Sequence, residues 1–185
     1  MSFYALAYFN FGPTVDGALQ YEINIPFSHF LRSSLHFGID GLSMVMLILT
    51  NILVPLIILS SFNEKRCYSN KFYGLILLMQ FGLIGVFTSL DGLIFYGFWE
   101  ITLIPIWFIC GLWGQEDQRL KFTTKFFVFT FVGSLFMLAG LIFVYDHSAS
   151  FALMDLYHAN LNATEEVFVF WFIFVAFAVK FPIFP

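Results

Sequence analysis

Charge is what this sequence has least of. Of its 185 residues only 11% are charged, against 60% hydrophobic. A soluble domain carries roughly a quarter charged residues, so the chain does not read as one. Cysteine is almost absent. Cys67 and Cys110 are too few and too far apart for a disulfide framework or a CxxC metal site, and Cys110 reads as a small buried side chain. The opening MSFYALAYFNFGP has no basic leader region, and its apolar part is too short for a span; it reads like the tail of a helix. No nucleotide loop, haem motif, iron–sulfur spacing or hydrolytic triad occurs, so no redox centre can be placed on this chain.

Long apolar runs fill the rest. Phenylalanine alone supplies 28 residues, which lipid-facing positions tolerate, so the count points to no site. Five segments are long enough to cross a hydrocarbon core of about 30 Å: 41–62, 72–90, 92–113, 125–145 and 167–185. In lipid each must be helical, because an exposed strand edge leaves backbone groups unpaired. The fold class is therefore all-α, a polytopic transmembrane bundle of about five spans. Residues 1–40 form an outward-facing N-terminal segment, and 41–185 form the membrane module.

Loop charge supports that division. Lys65, Arg66 and Lys71 lie between the first two spans, and Arg119, Lys121 and Lys125 precede or open the fourth. Both clusters fall on one side, while the other has Arg32 alone, as the positive-inside rule requires. His29, His36, His147 and His158 all lie on the outer side. Their spacing makes no metal pair, so they read as solvated or interfacial. In the last outer loop FALMDLY reads as a short interfacial helix. Asn162 with Glu165 fits a capping box, with Thr164 as a competing N-cap, and Glu165–Glu166 suit the positive end of a helix dipole. Asp40 and Asp91 stand where N-caps belong. Gly133 and Gly140, seven apart, give one helix a face for close packing. Trp99, Trp107 and Trp113 read as packing or interface residues.

Two charges lie inside spans. Glu100 is eight residues into the third, about 12 Å from its outer end, and Lys180 is thirteen residues past Val167, about 20 Å in. Both helices run inward, so the two sit within roughly 8 Å in depth and pair if the helices are neighbours. A central Lys or Asp costs about 2.5 to 3.5 kcal/mol on insertion scales. A static ion pair is poor glue at that cost, because desolvation offsets most of the attraction. A proton relay accounts for the pair better. Burial favours the neutral amine, and a nearby carboxylate favours the ammonium. Moving or neutralising Glu100 then releases a proton from Lys180, and re-forming the pair recaptures one. Pro182 and Pro185 follow Lys180 and break or loosen the last helix near Pro182. Pro105, five residues after Glu100, frees a carbonyl close to it. Such breaks are common at transporter sites.

At these residues the sequence resembles the antiporter-like membrane subunit M (chain 4 type) of NADH:quinone oxidoreductase, respiratory complex I. The resemblance runs from about His36 through FGIDGLS, IGVFTSLD, FYGFWEITLIPIWFICGLWG, KFFVFTFVGSLFMLAG and AFAVKFPIFP. The FWE-x-x-LIP and A-x-K-x-P-x-x-P elements are its most specific parts. It implies a proton-pumping module driven by quinone reduction elsewhere, in which the glutamate matching Glu100 pairs with the broken-helix lysine matching Lys180. It also implies NADH, FMN, iron–sulfur clusters and quinone on partner subunits, with no cofactor on this chain. The implied surroundings are other membrane subunits and lipid rather than nucleic acid, in a bacterial plasma membrane or, second, the mitochondrial inner membrane. The family has about fourteen helices. The chain matches from after the second to within the seventh, as an incomplete piece or as one part of a split subunit. A multi-subunit sodium/proton antiporter or a membrane-bound hydrogenase would share the Glu and Lys elements. A non-pumping assembly or scaffold protein would retain only the fold.

Overall fold

The computed structural model describes residues 19–28, 32–62, 70–114, 117–181 and 183. The chain opening, His29, Lys65, Arg66, Cys67, Pro182 and Pro185 lie outside the described residues. Two strands come first, β1 (Gln20–Ser28) and β2 (Ser33–Ile39). Seven helices follow: α1 (Gly41–Ser61), α2 (Asn70–Thr88), α3 (Gly92–Ile101), α4 (Leu103–Trp113), α5 (Arg119–Asp146), α6 (Leu153–Tyr157) and α7 (Ala163–Lys180).

Among the described residues four stretches are long and apolar enough to cross a membrane: α1, α2, α3 with α4 taken as one, and α5. The fifth expected span, α7, has 18 residues but carries Glu165, Glu166 and Lys180, too many charges to qualify on composition alone. The fourth span starts at Arg119 rather than Lys125. Arg119 folds back to donate from Nε to the Gly111 carbonyl (3.1 Å) and from Nη1 to the Gly114 carbonyl (3.1 Å). It thus satisfies acceptors at the end of α4 while adding a turn to α5. Cys110 is exposed on the bundle surface, not buried as its residue type suggests.

The bundle is mainly helical as expected, and a small two-stranded antiparallel hairpin adds to it. Its register sets Ile23 opposite Phe37 and Ile25 opposite Leu35. The signal was in the sequence: Tyr21, Ile23 and Ile25 alternate with polar residues, as do Leu35, Phe37 and Ile39 around His36 and Gly38. Asp40 then caps α1 by accepting from the Ser43 amide (2.6 Å). Ile39, Met44 and Leu47 form a buried cluster that joins hairpin to helix, with Tyr21, Ile84 and Phe87 packed on it.

Asp91 holds this end of the bundle together. Its carboxylate is 1% exposed. Oδ1 accepts from the Leu93 and Ile94 amides at 3.0 and 3.1 Å, which caps α3. Oδ1 also accepts from Ser33 Oγ at 3.1 Å, and Oδ2 from the Ser34 amide at 3.0 Å, which ties β2 to the same helix start. Main-chain bonds continue the clamp. The Leu90 amide donates to the His36 carbonyl, Gly92 to Phe151, and Leu153 to Leu90. Asn162 and Glu165 make the complete capping box at the start of α7, and the short helix α6 stands at FALMDLY.

Candidate proton-relay site

The site is built where α3 gives way to α4. Proline has no N–H, so Pro105 cannot donate to the Ile101 carbonyl one turn back. The helix breaks there: α3 ends at Ile101, and Thr102 separates it from α4. The Thr102 hydroxyl donates to the Trp99 carbonyl at 2.8 Å and fixes the last turn. Glu100 therefore stands at the edge of a helix interruption, and Pro105 is fully buried beneath it. Glu100 Oε1 is buried and has no hydrogen-bond partner. Such an orphaned acceptor costs roughly 1–3 kcal/mol or more when charged. Functional sites are where this is tolerated.

Lys180 arrives from the far side of α5. Helix α7 packs along α5 because Gly133 leaves room: a Cβ there would lie 2.9 Å from Val179. Gly140 does the same against Phe172, where an added Cβ would come within 3.3 Å. The small-residue face read from the sequence is this contact. It carries the end of α7 to α3, where the rings of Phe177 and Trp99 meet edge to face at 5.2 Å and 73°. One turn on, Lys180 Nζ sits 4.4 Å from the centroid of the Trp99 ring. Helix α7 stops at this lysine. Phe181 is extended (φ −94°, ψ 98°), the conformation favoured by a residue before proline.

Lys180 thus reaches the residue next to Glu100, with its ammonium over the Trp99 ring. Among the described residues no ion pair within 4.0 Å joins Glu100 and Lys180. Tyr96 lies on α3 one turn before Glu100. From the sequence Trp99 reads only as a packing or interface residue, and Tyr96 does not stand out. Their only signal is position: one beside, and the other four before, the membrane glutamate. The described histidines, His36, His147 and His158, lie at the hairpin end. His36 Nε2 is 2.7 Å from Glu22 Oε1, and His147 Nε2 is 3.9 Å from Glu165 Oε1. Among the described residues no group of three or more His, Cys, Asp or Glu is placed to hold a metal ion.

The arrangement provides a carboxylate with one buried oxygen, an ammonium over an indole face and a broken helix within a membrane bundle. The profile of the family described as "NADH:quinone oxidoreductase/Mrp antiporter, TM" matches residues 89–185, which span the whole site. The chain belongs to this family. Residues 19–86 match the amino-terminal region of NADH-ubiquinone oxidoreductase chain 4. Among relatives of this antiporter-like chain is the F(420)H(2) dehydrogenase subunit M of Methanosarcina mazei, 44% identical over 135 residues, 73% of this chain and 27% of that one. The NADH-quinone oxidoreductase subunit M of Rickettsia conorii is 38% identical over 152 residues, 81% of this chain and 31% of that one. Chain 4 of Arabidopsis thaliana is 35% identical over 150 residues, 81% of this chain and 30% of that one. The chain thus spans about a third of the length of these relatives. A chain of respiratory complex I from Thermus thermophilus superposes with a TM-score of 0.85 at 33% identity, over 100% of this chain and 37% of that one. A chain of the Mrp complex from a Dietzia species gives 0.74 at 16% identity, over 96% and 32%, and shows the shared fold.

Proposed function

We propose that this chain is part of a proton-translocating membrane subunit of NADH:quinone oxidoreductase, and that Glu100 and Lys180 form a charge-gated proton relay. The observation that carries the reading is the Lys180 ammonium over the ring of Trp99, the neighbour in sequence of Glu100, whose Oε1 is buried and unpartnered. A lysine in an apolar bundle holds its proton when a carboxylate is near and gives it up when the carboxylate is neutralised or moves away. The interruption at Thr102 and the end of α7 at Lys180 supply backbone that can shift on either side of the pair. Pro182 and Pro185 would loosen the segment beyond the lysine. Quinone reduction on partner subunits, which hold the FMN and iron–sulfur clusters, would drive the alternation. Other membrane subunits of the complex would surround this chain, in a bacterial plasma membrane.

The test is quinone-dependent proton uptake in membrane vesicles, comparing wild type with Lys180→Ala and Glu100→Gln, each checked for an assembled complex. Loss of uptake in an assembled complex is the expected result. Normal uptake in both variants would make the pair structural and the chain a scaffold. A second reading concerns the electron donor alone. The 44% identity to a subunit named for F(420)H(2) dehydrogenase favours an F420-linked input with the same membrane relay. Vesicles offered NADH or reduced F420 in turn decide between the donors.

A further inference from the structure

We propose that the face of Trp99 is a second station for the Lys180 ammonium, an alternative to Glu100, so that Trp99 is a positioning residue of the relay. The inference rests on the Glu100/Lys180 reading above. Three observations carry it. Lys180 Nζ stands over the indole at 4.4 Å from the centroid, inside the roughly 6 Å at which a ring face attracts a cation. Glu100, the next residue along the same helix, is meanwhile left with a buried Oε1 that nothing bonds. The ring itself is held on two sides, by Phe177 of α7 at 5.2 Å and by Phe95 of α3 at 5.7 Å, so its face is fixed towards the lysine.

The physical need for such a station follows from the strength of the alternative. An ammonium and a carboxylate in direct contact in a low-dielectric interior attract each other steeply. A lysine with no other favourable place would stay in that pair, and the relay would stop. An indole face offers the cation a site with no competing negative charge and no proton acceptor, since the indole nitrogen is a donor only. A contact of this kind shifts an equilibrium by a factor of about 2 to 30. That is enough to bring the two positions nearer to balance without trapping the lysine on the ring. The Trp99 Nε1 atom is itself buried without a partner, so no hydrogen bond competes for the orientation of the ring.

The experiment replaces Trp99 in the assembled complex by tryptophan carrying one, two and three ring fluorines. Each fluorine weakens the negative face while leaving size and N–H nearly unchanged. Quinone-driven proton uptake is measured in vesicles alongside Lys180→Ala. The expected result is a stepwise fall in uptake rate across the series, reaching between about 2-fold and 30-fold, with Trp99→Leu at or below the trifluoro level and Trp99→Phe between Leu and Trp. Equal rates for plain and trifluorinated tryptophan, with Lys180→Ala inactive, would overturn the station and leave the relay standing. Normal uptake in Lys180→Ala would overturn both.

Discussion

Replacing Asp91 tests the frame that positions Glu100. The carboxylate is 1% exposed and accepts four hydrogen bonds, two from the first turn of α3 and two from β2. Asp91→Ala removes an N-cap, worth about 1 kcal/mol. It also removes two bonds from Ser33 and Ser34 to a charged acceptor, about 1.5–3 kcal/mol each. Because all four share one group they do not add fully, and about 3–5 kcal/mol of local stability is lost. Asp91→Asn keeps an oxygen for Leu93, Ile94 and Ser33 but sets an N–H against the Ser34 amide, at a cost of about 1.5–3 kcal/mol. Hydrogen exchange in the detergent-solubilised protein reads both effects, because local opening sets the exchange rate of the amides it exposes. The amides of Ser34, Leu90 and Leu153 should exchange about a hundred- to five-thousand-fold faster in the Ala variant, and in the Asn variant roughly ten- to a hundred-fold faster. Amides in the middle of α5 should not change in either. Wild-type exchange at Ser34 in Asp91→Ala would refute the clamp. Equal acceleration throughout the bundle would show that Asp91 supports global stability instead.

Two further outcomes follow from packing. Gly133→Ala places a methyl 2.9 Å from Val179 and should force α7 from α5, costing about 1–3 kcal/mol and lowering the thermal midpoint of the purified protein. Gly97→Ala, with nothing within 4 Å, is the matched control and should melt no earlier than wild type. Gln80→Leu removes the bond from Gln80 Nε2 to Asn51 Oδ1 (3.2 Å) that links α2 to the buried Asn51 of α1. The expected loss is about 0.6 kcal/mol, with part of it recovered in Asn51→Leu/Gln80→Leu, as a double-mutant cycle in mild denaturant would read.

The sequence alone was enough to establish the membrane bundle, because scarce charge and long apolar runs leave the chain no soluble alternative and lipid leaves it no backbone choice but helix. It marked Asp40, Asp91 and the Asn162–Glu165 box as helix starts, because a cap is local chemistry decided within four residues. It singled out Glu100 and Lys180, because their cost is visible without coordinates. It also holds the alternation of the hairpin, a weaker signal than the apolar runs that follow it. The tertiary structure alone decided what faces what. That α7 reaches α3 past α5 depends on Gly133 and Gly140 meeting Val179 and Phe172, a match between residues some 40 positions apart. The same approach carries the Lys180 ammonium to the Trp99 ring, a contact no spacing rule announces. Asp91 looked like an ordinary cap and became the junction of strand and helix, because tertiary folding brings Ser33 and Ser34 to its unused lone pairs. Local chemistry is written in the order of residues, but an ammonium's choice of partner is set by distances that exist only once the helices have packed.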